Sequence, residues 1–222
     1  MRVGVIAGEM ERHTTGVGRY LSGLLGGLAR WDHGVDWTLF FQGEPFDHSV
    51  FRDGAFEPRF SRFSGHPVVW EHWVLPRQLR GQRLDLLFAQ AYAVPIGVRV
   101  PTVVTIHDLS FERFPGDFGR RELRRRRLLS RRAARVASWV LTVSVHIADE
   151  LRVTYGVDPR RLGVVPNGIG RDFRAAEPAP HLESIGVRRP FLLVAGTVLD
   201  RRLPGLTLEV FADIARERPD LQ

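Results

Sequence analysis

The sequence predicts an α/β protein built on a Rossmann-like, doubly wound parallel sheet, and three observations predict it. Short apolar runs rich in β-branched residues recur along the chain, at 2–7, 36–41, 84–88, 102–106, 139–143 and 161–165. Runs of this kind read as strands buried on both faces. Between them lie segments with apolar residues at helical spacing, such as Leu21, Leu24, Leu25 and Leu28, and this strand–helix alternation argues for a parallel sheet. Finally, the run Thr102 to Ile106 ends abruptly in His107-Asp108, two side chains able to carry a proton or a charge. Ligands of open α/β sheets sit just beyond the carboxyl ends of strands, so His107 and Asp108 are candidate catalytic residues. The competing explanation is that His107 only caps the strand and bonds a neighbouring loop.

The elements follow in order. Arg2 to Ala7 forms a first, central strand, and a polar loop runs from Gly8 to Thr15. Gly16-Val17-Gly18-Arg19-Tyr20 is a glycine turn before a helix ending near Arg30. It is not a dinucleotide fingerprint. The glycines come too long after the strand, Leu21 occupies the third glycine position, and no acid ends the next strand. What remains is a helix N-terminus whose free N–H groups can face an anion or a sugar hydroxyl, or a plain turn. Asp36 to Phe41 is a second strand, and 42–63 is irregular. From Val68 to Leu79 a helix carries Trp70, Trp73, Val74 and Leu79 on one face, with Glu71 and His72 pointing apart. Ser144, after the strand Trp139 to Val143, is an N-cap for a helix through Ile147, Leu151 and Tyr155 that ends at Gly156. The strand from Arg161 closes with Pro166-Asn167-Gly168.

The composition narrows the chemistry. The 222 residues hold no cysteine, which excludes disulfide, zinc-thiolate and thiol chemistry. No apolar run approaches the ~20 residues needed to cross a bilayer, and the first residues are too soon interrupted by charge for a signal peptide. The net charge is +7, and every basic side chain other than histidine is arginine. Arginine is densest from Arg120 to Arg135, where the only acid is Glu122. Three explanations compete for that helix: a solvated face, contact with an anionic membrane surface, and nucleic-acid binding. No stacking aromatics or motif support the last.

From Arg174 the composition shifts. Ala175 to Pro180 reads as a linker, Phe191 to Thr197 as a fresh buried strand, Arg201-Arg202-Leu203-Pro204-Gly205 as a basic loop and Leu206 to Arg218 as an amphipathic helix. One β-α unit of this kind cannot bury both faces of its strand.

Taken in order, six pieces resemble a retaining glycosyltransferase of family 4, with two facing Rossmann-like domains (the GT-B fold). They are Gly16 to Tyr20; Trp70-Glu71-His72-Trp73-Val74-Leu75-Pro76; Val104 to Leu109; Val143-Ser144; Val164 to Ile169; and Ala195-Gly196-Thr197 with Arg201-Arg202. The nearest branch is the bacterial, mannosyltransferase-like one that builds cell-surface polysaccharide. The resemblance implies an acceptor-binding domain at 1–173, a linker at 174–189, and the first β-α unit of a nucleotide-sugar-binding domain at 190–222. It implies catalytic roles for His107 and Asp108. It implies substrate or donor contacts from Gly16, Val17, Gly18, Arg19, Ser144, Asn167, Gly168, Gly196, Thr197, Arg201 and Arg202.

The implied reaction moves a hexose from a GDP- or UDP-sugar to a saccharide or lipid-linked acceptor, in the cytoplasm or at the inner membrane face. No cofactor or metal is implied, in keeping with the lack of an Asp-x-Asp signature. The basic loop departs from the family's usual Arg-Lys-Asn, having Arg201-Arg202-Leu203. The family's acidic pair that orients donor sugar and ribose has no place in these 222 residues. The expectation is therefore a piece of a longer enzyme, or a truncated chain that is inactive by itself. The alternative is a non-catalytic glycan-binding or scaffold module derived from such an enzyme.

Overall fold

The computed structural model describes residues 1–11, 15–30, 34–45, 54–170, 181–188 and 190–222. They fall into two units, one comprising Met1–Arg113 with Arg120–Gly168, the other Phe114–Gly119 with Ile169–Gln222.

The first unit is a seven-stranded sheet. Its strands are β1 (Arg2–Ile6), β2 (Asp36–Phe41), β3 (Phe56–Phe60), β4 (Leu86–Ala89), β5 (Thr102–Thr105), β6 (Trp139–Thr142) and β7 (Leu162–Val164). The order is β3-β2-β1-β4-β5-β6-β7, and every pairing is parallel. The doubly wound, Rossmann-like class is thus the observed one. β1 sits centrally because Val3, Val5 and Ile6 carry no charge to either face, and all three are buried. Val5, Met10, Leu21, Leu25, Leu39, Phe41 and Phe88 form one packed core under the helix α1 (Gly16–Leu28). Within 42–63 the structure adds β3, which the sequence pattern misses. Pro58 cannot donate to a ladder, and β3 is an edge strand, where that loss is tolerated.

Three expectations are corrected here. Gly16 and Gly18 do not form a turn ahead of α1 but lie in its first turn, with Thr15 as N-cap accepting from Gly18 N at 2.8 Å. The segment from Pro67 to Leu79 is not a uniform α-helix. It runs as α2 (Pro67–Val69), a π-helical stretch Trp70–Val74 and α3 (Leu75–Leu79). The wider π turn changes which residues share a face, so Trp73 is exposed while His72 is buried beside Trp70. The third correction lies in the second unit.

That unit holds α7 (His181–Ser184), inside the stretch expected to be linker, and α8 (Pro204–Glu217). Ala175 to Pro180 lie outside the described residues. Phe191 to Thr197 is not a buried strand. Leu192, Leu193 and Val194 are exposed, and the backbone bonds here run from Leu192 N to Gln222 O and from Gln222 N to Pro190 O. A strand needs a ladder partner to satisfy its N–H and C=O groups, and among the described residues none flanks this stretch.

Candidate active site

The sheet order places the topological switch between β1 and β4. The chain leaves β1 toward β2 and β3, then returns to β4 and continues the other way. Residues just past the strands' carboxyl ends therefore converge, as expected for a ligand crevice. Glu9 follows β1; Gln90, Ala91 and Tyr92 follow β4; His107 and Asp108 follow β5.

Two cavities occupy this edge, of about 360 Å³ and about 440 Å³. Glu9, Pro67, Glu71, Ala91 and Ala93 stand in both walls, so the cavities adjoin. The first is lined further by Glu11, Thr15, Gln42, Trp70 and Gln90, and among the described residues no basic side chain faces it. The second is lined further by Val17, His107, Asp108, Arg125 and Arg126.

His107 is half-buried in the second cavity, edge-on to Tyr20 with ring centroids 4.7 Å apart. Its Nε2 lies 2.9 Å from Gln90 O. A carbonyl only accepts, so Nε2 carries the hydrogen and Nδ1 keeps its lone pair. Burial pushes the imidazole below its ordinary pKa, opposed by the Gln90 bond and by the charges of Asp108 and Glu9. Burial therefore favours the uncharged ring. Asp108 is exposed and accepts from Ser110 N at 2.8 Å, opening the short helix α4 (Ser110–Arg113).

Glu71 projects from the π-helical stretch into both cavities. Its carboxyl is pushed up to about 7, chiefly by burial and then by the charge of Glu9, against the pull of Arg125. Its neighbour His72 points away into the core, 4% exposed, with neither ring nitrogen partnered among the described residues. Burial first, then Arg132 and Arg125, lowers it to about 4.

The arginine-rich helix, α5 (Arg120–Val136), divides its charges among three tasks. Arg125 and Arg126 both bond Glu122 and line the second cavity. Arg126 lies over the Tyr92 ring at 5.1 Å, and Tyr92 has φ 21°. A positive φ is uncommon for a residue with a side chain and clusters at ligand sites. Arg127 and Arg131 pair with Glu112, and Arg132 donates to Val94 O. Arg121, Arg124, Leu128 and Arg135 remain exposed.

Of the expected site residues, the structure brings Val17, His107 and Asp108 to one cavity. Gly18 is buried and has a packing reason of its own, because a Cβ there would run into Glu9 O. Gly16 and Arg19 are exposed on α1 and line neither cavity. Ser144 caps the helix α6 (Val145–Tyr155), accepting from Ile147 N at 3.2 Å. Asn167 and Gly168 are exposed beyond β7. In the second unit Arg201 pairs with Asp117 at 2.7 Å, and Arg202 folds over Gly196 to donate to Thr197 O at 3.3 Å.

Sequence reasoning missed Glu71 as a site residue, along with Glu9, Tyr92, Arg125 and Arg126. A signal existed for Glu71, a carboxylate set among tryptophans on an otherwise apolar helix. None existed for Arg125 and Arg126, which are hidden in a run of arginines.

The fold and crevice define a Rossmann-like α/β ligand-binding domain of the kind found in GT-B glycosyltransferases. The model of glycosyltransferase family 4 matches residues 14–173, and the chain belongs to that family. No curated protein matches it. Among solved structures it is similar to HepE of Anabaena, determined in complex with UDP and glucose (14% identity, TM-score 0.53). It is also similar to sucrose-phosphate synthase of Thermosynechococcus elongatus (12%, 0.55) and to WaaG, a glycosyltransferase involved in lipopolysaccharide biosynthesis (16%, 0.55). The matches cover 84%, 86% and 85% of this chain but 50%, 54% and 52% of those chains, so it spans about half their length. Among the described residues no helix is long and apolar enough to cross a membrane.

Proposed function

We propose that this chain is the acceptor-side part of a retaining glycosyltransferase that moves a hexose, mannose being the first to test, from a UDP- or GDP-sugar to a saccharide or lipid-linked acceptor in cell-surface polysaccharide synthesis. The observation that carries the reading is His107 on the wall of the crevice cavity, held by Gln90 O through Nε2, within a sequence that matches family 4 over 14–173. In the reaction the bond between the sugar's anomeric carbon and the diphosphate breaks and a bond to the acceptor oxygen forms. The acceptor's proton leaves with the diphosphate. His107 Nδ1 accepts from a hydroxyl of the sugar in transit, orienting it. Asp108 keeps α4 in place behind that ring.

The first turn of α1 presents the N–H groups of Gly16 and Val17 to the departing charge, while Gly18 and Arg19 close that turn on Thr15, and Arg201 and Arg202 are assigned to neutralise the charge without a metal. Ser144, Asn167, Gly168, Gly196 and Thr197 are assigned supporting contacts to the donor. The exposed row Arg121, Arg124, Leu128 and Arg135 lies at one-face spacing along α5 and suits peripheral contact with an anionic membrane on the cytoplasmic side. Flotation with liposomes containing about 30% anionic lipid, and loss of it at high salt, checks that contact.

The test of the main reading is nucleoside diphosphate release from UDP-glucose and GDP-mannose by an assembly that completes the donor site around this chain, with saccharide acceptors present. Release by the wild type and a fall of about a hundredfold in kcat for His107→Ala are expected. Unchanged turnover in that variant would remove the role given to His107.

A further inference from the structure

We propose that the first cavity is a binding site for a neutral saccharide, the acceptor, and that Glu71 is the residue that holds the acceptor's hydroxyl. This deepens the transferase reading and rests on it. Among the described residues the cavity wall carries Glu9, Glu11 and Glu71 and no cation, so a phosphate or carboxylate would be repelled and an uncharged, hydroxyl-rich ligand is accepted.

A second observation, independent of the acids, points to a ligand with both donors and acceptors. Gln90 is 2% exposed and Trp70 3%, and both line this cavity. Gln90 Nε2 is spent on Ile6 O at 3.0 Å, and among the described residues its Oε1 has no donor and Trp70 Nε1 no acceptor. Buried polar atoms without partners are costly. Hydroxyl groups donate and accept at once, so a saccharide supplies what both atoms lack.

Glu71, like Glu9, lines both this cavity and the one holding His107. A hydroxyl held by Glu71 is therefore at the junction where transfer to it can occur. Its position comes from the π-helical stretch Trp70–Val74, which sends Glu71 to the crevice and His72 to the core. Single-turn π segments of this kind are frequent at functional sites. The carboxylate accepts more strongly than the acid, and its titration near 7 makes binding pH-dependent in a range that is easy to sample.

The experiment is saturation-transfer NMR on the 222-residue chain, with methyl α-mannoside, maltose and mannose 6-phosphate as probes. The neutral sugars are expected to bind with Kd on the order of 1 mM, and mannose 6-phosphate at least about tenfold more weakly. Wild-type affinity for the neutral sugars should rise about fivefold from about pH 6 to about pH 8. In Glu71→Gln it should be weaker at the upper pH and flat across the range. Trp70→Phe, which keeps the ring but removes the N–H, should lose about fivefold at every pH. Absence of saccharide binding, preference for the phosphate, or an unchanged pH profile in Glu71→Gln overturns the inference. Hexose transfer without saccharide binding at this cavity would sink it alone and leave the transferase reading standing. Saccharide binding without transfer by any assembly containing this chain would do the reverse.

Discussion

Thr102–Thr105 and the run beginning at Phe191 are both short apolar stretches that precede polar loops, yet only the first is a strand. Val104 is 0% exposed between β4 and β6, whereas Leu193 is 80% exposed and flanked by no strand among the described residues. Composition offers an apolar run; a neighbour with matching register turns it into a strand. The same contrast separates the catalytic candidates. His107 inherits a fixed position from β5 and bonds the backbone after β4, while Arg201 and Arg202 sit on a 3-10 turn that carries no buried residue. Among the described residues the fixed positions belong to the sheet edge.

The largest effect that would sharpen this contrast comes from placing one charge in each run. Val104→Asp buries an unpaired carboxylate between strands and should cost more than about 4 kcal/mol, leaving the first unit unfolded at 25 °C. Val194→Asp replaces an exposed side chain and should change stability by less than about 0.5 kcal/mol. Urea unfolding followed by circular dichroism measures both. Equal losses would mean that 191–197 is covered by something in solution and that the contrast is false.

The next effect is the acid loss of one residue's contribution, that of His72 in the first unit. His72 is held at about 4 in the fold against 6.5 when free, so the unfolded chain binds the proton first. That stabilisation is complete above pH 6.5 and is lost as pH falls from there toward 4, a change of about 3 kcal/mol. Glu71 shifts the opposite way over much the same range, so the reading is the difference from wild type: His72→Leu should gain stability relative to it as pH falls from 6.5 toward 4, with the second unit unaffected. Hydrogen exchange resolved by peptide at about pH 5 and about pH 7 reads it out; a variant with the wild-type slope would assign the lability to another group.

Glu71 has the opposite sign. Its carboxyl is raised from 4.5 to about 7, so the folded chain binds the proton more tightly, and stability falls as pH rises between those values. Glu71→Gln should therefore stabilise the chain by about 2 kcal/mol at about pH 8 and by nothing below about pH 4.5. A thermal shift at both pH values tests this. Stabilisation on removing a charged residue from a crevice is the signature of a group kept for a ligand rather than for the fold.

How much of this was legible from the residues alone divides along the same line. β1, β2, β4, β5, β6 and β7 follow from apolar runs, and the caps Ser144 and Gly156 from local chemistry, because each depends on a few adjacent residues. β3 was not legible, since an edge strand with Pro58 has neither the alternation nor the apolar density of its neighbours. At the site, His107 was legible because it ends a strand. The place of Glu71 among tryptophans was legible but its direction was not, because that depends on the wide turn Trp70–Val74, which redistributes the faces that a 3.6-residue period assigns. Nor were Arg125 and Arg126, whose inward turn toward the second cavity is set by the packing of α5 and not by their neighbours in sequence.

The smallest effect concerns the two glycines opening α1, which look equivalent in the sequence. A Cβ on Gly18 would collide with Glu9 O, a backbone atom that cannot swing aside, whereas at Gly16 nothing lies within 4 Å. Gly18→Ala should cost about 1–3 kcal/mol and displace Glu9 from both cavities, so saccharide affinity falls with stability. Gly16→Ala has open space in a helical first turn and should gain up to about 0.5 kcal/mol. Any loss of activity in it then reports on ligand contact alone. If Gly16→Ala lowers turnover with a donor sugar while raising the melting temperature, the N-terminus of α1 faces the donor, as the proposed mechanism requires. If it raises stability and leaves turnover intact, the first turn is only a way of bringing α1 close to Glu9, and the charge on the leaving diphosphate must be met by arginine.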